Sequence, residues 1–128
     1  MNIDEQMLLR LPTLKHVGLA LVQFARSLHP NGEFALKDNE WIYKPNFVAF
    51  YFYKKKEAIR MFITNKCWQQ INKGDEYVCR LYEGKFGTYS CDISSPRHLG
   101  PAVRYIEASY QQICGPLVPI TASLKKDG

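Results

Sequence analysis

Residues 47–64 read FVAFYFYKKKEAIRMFIT, placing Tyr51, Tyr53 and Phe62 close to Lys54, Lys55, Lys56 and Arg60. Rings that stack on bases, beside lysines that follow the phosphates, let an open sheet hold single-stranded nucleic acid at ~1 to 3 kcal/mol per stacked base. These seven residues are the candidate ligand-binding set, for nucleic acid or another polyanion. A purely structural account competes with it. Arg60 would lie across the tyrosine rings in a contact worth about 0.5 to 1 kcal/mol, and the lysines would keep a hairpin tip soluble.

Arg97 and His98 stand just ahead of Gly100 and Pro101, where proline suits the first turn of a helix. A helix start offers free amides and positive potential to an anion. Arg97, His98 and Gly100 therefore form an alternative site for a phosphate or carboxylate, with the protein then a small-anion-binding enzyme. The structural alternative is a turn with two exposed polar side chains. His16 and His29 read as surface residues on a helix face and at a helix end.

Other chemistry is missing from the sequence. It contains no G-x-S-x-G elbow, no phosphate loop ending in Gly-Lys-Ser or Gly-Lys-Thr, no H-E-x-x-H and no G-x-G-x-x-G. Asp75, Glu76, Glu83 and Asp92 are expected at or near strand ends as solvated charges rather than gathered round a metal. Cys67, Cys79, Cys91 and Cys114 form no CxxC pair, so reduced, buried thiols are expected. No catalytic residue, metal or cofactor is expected.

A chain of 128 residues with a formal charge of +5 fits one domain that attracts acidic partners over long range. Its start, MNIDEQMLLRLP, lacks the basic opening and long apolar centre of a signal peptide. No apolar run nears the ~20 residues that span a bilayer. A cytoplasmic protein with no membrane partner is the expectation.

Several elements must position these residues. Leu14, Val17, Leu21, Phe24 and Leu28 make one helical stripe, with Thr13 as its cap and His29-Pro30-Asn31-Gly32 as its stop. Phe34 and Leu36, an Asp38-Asn39 turn, then Trp41 and Tyr43 make a first hairpin. A second turns at Lys55-Lys56, setting Phe52 opposite Ile59, Phe50 opposite Met61 and Val48 opposite Ile63 on one apolar face. Its reverse face carries Tyr51, Tyr53, Arg60 and Phe62. Residues 65–75 form a connection with a single helical turn carrying Trp68. A third hairpin pairs residues 77–81 with 87–93, bringing Cys79 opposite Cys91. The last helix presents Val103, Ile106, Tyr110 and Ile113 as its stripe and stops at Gly115.

The sum is an α+β domain over residues 1–115, an antiparallel meander of five or six strands flanked by an N-terminal and a C-terminal helix, with an extended, partly disordered tail over 116–128. The order Trp41-Ile42-Tyr43, Pro45-Asn46-Phe47-Val48, Lys54-Lys55-Lys56, the strand 59–63 and then Ala102-Val103-Arg104-Tyr105-Ile106-Glu107-Ala108-Ser109-Tyr110 resembles a family of small uncharacterised bacterial domains, sometimes labelled predicted transport proteins. The resemblance covers residues 40–113. It implies an α+β fold and an association with restriction and defence genes, and supplies no catalytic residues.

The expected function is a non-enzymatic binding module for nucleic acid or another polyanion. The alternative is a protein-interaction or homodimerisation domain, whose aromatic sheet face of Trp41, Tyr43, Tyr51 and Phe62 is covered by a partner.

Overall fold

A computed structural model describes residues 1–117. The expected tail falls outside the described residues from position 118 onward. Three helices, α1 (Ile3–Arg10), α2 (Lys15–Leu28) and α3 (Leu99–Cys114), accompany six strands: β1 (Glu33–Lys37), β2 (Glu40–Lys44), β3 (Ala49–Phe52), β4 (Ile59–Thr64), β5 (Tyr82–Glu83) and β6 (Thr88–Ile93). The strands form one antiparallel sheet in the order β1-β2-β3-β4-β6-β5.

The alternation expected for the second hairpin is realised. Phe50 faces Met61 and Phe52 faces Ile59. Ile59, Met61 and Ile63 are buried, whereas Arg60, Phe62 and Thr64 between them are half-exposed. The Asp38-Asn39 turn closes the first hairpin with both residues at positive φ, the signature of a two-residue type I′ loop that matches strand twist.

All three helices pack on the same side of the sheet. Ile3, Met7 and Leu11, Val17 and Leu21, and Ala102, Tyr105 and Ile106 join Trp41, Tyr43, Phe50, Phe52, Ile59, Met61 and Ile63 in one core. The result is two layers with the opposite sheet face left uncovered.

Several expectations are corrected. Trp41 and Tyr43 belong to the core and not to the aromatic outer face, because Trp41 pairs with Phe50 and therefore shares its side of the sheet. Residues 3–10, with no element assigned from sequence, form α1. The Asn2 side chain caps it, and Ile3, Met7 and Leu11, spaced by four, give it a narrow buried stripe.

Thr13 does not cap α2 with its own side chain. The Glu57 carboxylate instead accepts from the Thr13 amide and hydroxyl, both at 2.7 Å, and from the Leu14 amide at 2.5 Å. In α3 the buried stripe is Ala102, Tyr105, Ile106 and Ser109, while Ile113 is exposed.

The connection after β4 holds two 3-10 turns, Asn65–Gln70 and Lys73–Tyr77, rather than one. The second turn absorbs the start of the expected third hairpin, leaving β5 only two residues long. Tyr82, not Cys79, is the residue whose strand faces this part of β6, opposite Ser90. Cys79 lies in the preceding turn, yet it still interacts with Cys91. That contact, with burial second, pushes the Cys91 thiol upward, and both are free thiols. Asp75 is only 7% exposed and is no solvated strand end. Arg104 donates to both its oxygens at 2.7 and 2.6 Å, and this pairing holds its carboxyl below the usual range.

The one-sided packing has a measurable consequence. Phe50→Ala should destabilise the fold by about 3 to 5 kcal/mol, as expected for a ring removed from a filled core. Phe62→Ala, on the uncovered face, should cost about 1 kcal/mol or less. Urea unfolding of both variants checks the difference, and equal losses would place both rings in a core.

Candidate functional site on the open sheet face

Period-two alternation brings one row of side chains across the uncovered face. Ile42 faces Ala49, Ala49 faces Phe62, Phe62 faces Ser90 and Ser90 faces Tyr82. The neighbouring row runs Tyr51, Arg60, Asp92. Tyr51, Tyr53, Arg60 and Phe62 are thus brought together on one face, as the sequence pattern requires, with Lys54, Lys55 and Lys56 exposed at the hairpin tip.

Their interactions are more committed than the sequence shows. The Tyr53 hydroxyl donates to Asp92 at 3.0 and 3.1 Å, and Arg60 Nε donates to the same carboxylate at 3.0 Å. Lys56 Nζ sits 4.2 Å from the Tyr53 ring centroid and 3.9 Å from Asp92. The Arg60 guanidinium lies 5.3 Å from the same ring, and Tyr51 meets Tyr53 edge to face at 5.3 Å. Burial, then the bond to Asp92, push the Tyr53 phenol above its ordinary value. Arg60 thus lies over the Tyr53 ring, and Asp92 accepts hydrogen bonds from both residues.

Beyond this cluster the face opens into a cleft of about 380 Å³, lined by Glu40, Ile42, Ala49, Arg60, Phe62, Lys85 and Phe86. A second cleft of about 250 Å³ shares Asn46, Phe62, Phe86 and Thr88 with it and extends to Lys66. Burial, with the Asp38 charge second, raises the Glu40 carboxyl.

Phe86 stands at the lip of both clefts. Its φ is +60°, a left-handed conformation uncommon for a bulky side chain, and it is 98% exposed. Local bonds hold it there. Gly84 N–H donates to the Thr88 carbonyl at 2.8 Å, Asn65 N–H to the Gly87 carbonyl at 2.9 Å, and the Thr88 hydroxyl to the Lys85 carbonyl at 2.8 Å. Left-handed backbone and near-complete exposure are an uncommon combination for an aromatic residue. In sequence, Phe86 is visible as a large apolar side chain where turns favour Asn or Gly.

No family model, no curated protein and no solved structure matches this chain. The open face must be read from its own geometry.

The Arg97 and His98 side chains are set in different surroundings. His98 points inward, 9% exposed, and its Nδ1 accepts from the Ser94 amide at 3.1 Å, while Arg97 and Gly100 are exposed. His98 holds the turn before α3 through this bond. Among the described residues no group of three or more His, Cys, Asp or Glu side chains could hold a metal, and no helix is long and apolar enough to cross a membrane.

Burial, with the Arg97 charge second, lowers the His98 imidazole below its usual value. Neutral His98 therefore contributes its full stability above about pH 6.5, and loses it as pH falls through the lower folded value. In an NMR titration His98 should protonate below about pH 6.5, and inorganic phosphate added at neutral pH should leave its resonances in place. A phosphate-dependent rise in its midpoint would restore the anion pocket.

Proposed function

We propose that the protein is a non-enzymatic binding module that takes an extended polyanion, single-stranded nucleic acid in the first instance, on the uncovered sheet face. The observation that carries this reading is an aromatic sheet face bare of helices with lysines at both ends. Tyr51, Phe62 and Phe86 supply ring surfaces, because Tyr53 is already engaged by Lys56, Arg60 and Asp92. Lys54 and Lys55 stand at one end of the face, and Lys66 and Lys85 at the other. Strand β4 between them is about 17 Å long at ~3.3 Å per residue, a span for a few nucleotides.

The acidic residue of the hairpin tip does not cancel its lysines. Glu57 is turned away to the start of α2, and among the described residues neither Lys54 nor Lys55 takes part in an ion pair. Asp92 is an opposing charge on this face, as is Glu40 in the cleft, and Asp92 draws Arg60 and Lys56 to itself. The resemblance of residues 40–113 to the predicted-transport-protein family contributes no site residue to this reading.

Fluorescence anisotropy with labelled single- and double-stranded oligonucleotides tests it. Single strands should bind more tightly, and affinity should fall steeply with salt. Lys54→Glu with Lys55→Glu should weaken binding and flatten the salt dependence. Asp92→Asn should strengthen binding by releasing Arg60 and Lys56. Phe86→Asn should weaken it by ~1 to 3 kcal/mol, the worth of one stacked base, while leaving stability unchanged or higher, since Asn accepts positive φ. Absence of binding at low salt, or indifference to all these changes, would overturn the polyanion reading.

A further inference from the structure

Strand β1 ends the sheet on one side, and its sequence is Glu33-Phe34-Ala35-Leu36-Lys37. Natural edge strands are kept apart by proline, bulges, very short length or charged side chains, which repel a second copy only where like charges meet. Strand β1 carries no proline, pairs with β2 through five consecutive residues without a bulge, and has opposite charges at its two ends. Leu36 is 53% exposed there.

The backbone of β1 fixes which groups are free. The type I′ turn at Asp38-Asn39 makes Lys37 and Glu40 a hydrogen-bonded pair. Alternation along an antiparallel ladder then turns the N–H and C=O of Glu33, Ala35 and Lys37 toward β2. Those of Phe34 and Leu36 face outward and unpaired.

We propose that β1 pairs antiparallel with β1 of a second copy of this chain, with Ala35 opposite Ala35 of the second copy on the two-fold axis. In this register Phe34 meets Leu36 of the second copy, and the pair exchanges both backbone bonds through the outward groups. Glu33 falls opposite Lys37 of the second copy, and Lys37 opposite its Glu33. Both are non-hydrogen-bonded pairs, in which facing side chains come closest. Leu36 is covered by Phe34 of the second copy. Sliding the register by two residues either way sets a charged residue opposite Ala35 and loses both ion pairs, whereas a slide of one residue opposes groups that already bond to β2.

The axis runs perpendicular to the sheet, so the two sheets become one and the helices of both copies lie on the same side. The uncovered faces also join on one side, doubling the surface available to a long ligand. Five residues of edge bury far less than the ~1,200 Å² of a stable interface, so the dimer is transient and dissolves on dilution.

Sedimentation velocity over a concentration series should show a monomer-dimer equilibrium. Glu33→Lys alone and Lys37→Glu alone should abolish the dimer by opposing like charges. An equimolar mixture of the two variants should restore it, since each then faces its opposite. Both substitutions also alter facing pairs within the sheet, with Lys44 and Glu40, so circular dichroism first checks that each variant folds. Amide exchange on the unmodified protein gives an independent reading. The Phe34 and Leu36 amides should exchange freely when dilute and become protected as concentration rises, while Ala35 stays protected throughout. A chain that remains monomeric at its highest soluble concentration, a dimer unaffected by the single variants, a mixture that stays monomeric, or unchanging exchange at Phe34 and Leu36 would each overturn the proposal.

Discussion

Side chains alternate strictly along β3 and β4, and every helix packs on the side that receives Phe50, Phe52, Ile59, Met61 and Ile63. A register slip of one residue would exchange the two faces completely. Burying this set against α1, α2 and α3 therefore fixes the position of Tyr51, Arg60 and Phe62 on the other side. The core and the candidate site are two readings of one alternation. Substitutions that loosen the core register would also disorganise the outer face.

Short-range patterns in the sequence carried a large part of this arrangement. The pairing of Phe50 with Met61 followed from matching apolar positions, and the first hairpin followed from Asp38-Asn39, because a two-residue turn leaves little freedom. Long-range choices were not legible. Trp41 and Tyr43 could have belonged to either face until Trp41 was seen opposite Phe50. The short α1 has a stripe only one residue wide, with Leu8 and Leu9 exposed beside it, so its periodicity is weak. The capping of α2 by Glu57 joins residues more than forty positions apart, and no local rule anticipates it.

The site shows the same division. Alternation alone gathered Tyr51, Tyr53, Arg60 and Phe62. Asp92 enters from β6, two strands later, and reorganises their electrostatics by taking hydrogen bonds from Tyr53 and Arg60. Phe86 enters through a loop whose backbone bonds hold it at positive φ. His98 looked like a ligand group because of its neighbours in sequence, but its ring completes the Ser94 turn. Sequence proximity identifies such a residue without showing which way it points.

The Glu57 contact bears on how the lysine tip behaves as an object. A charged hairpin tip on its own would swing, and any ligand binding to it would have to still it at an entropic cost. Here the tip is fastened at its last residue to the amides that begin α2, and the next residue, Ala58, is buried. Lys54 and Lys55 consequently ride on a fixed mount whose backbone ordering belongs to folding rather than to binding. The exposed Lys54 and Lys55 side chains would be the part of the tip left to order if it met a ligand.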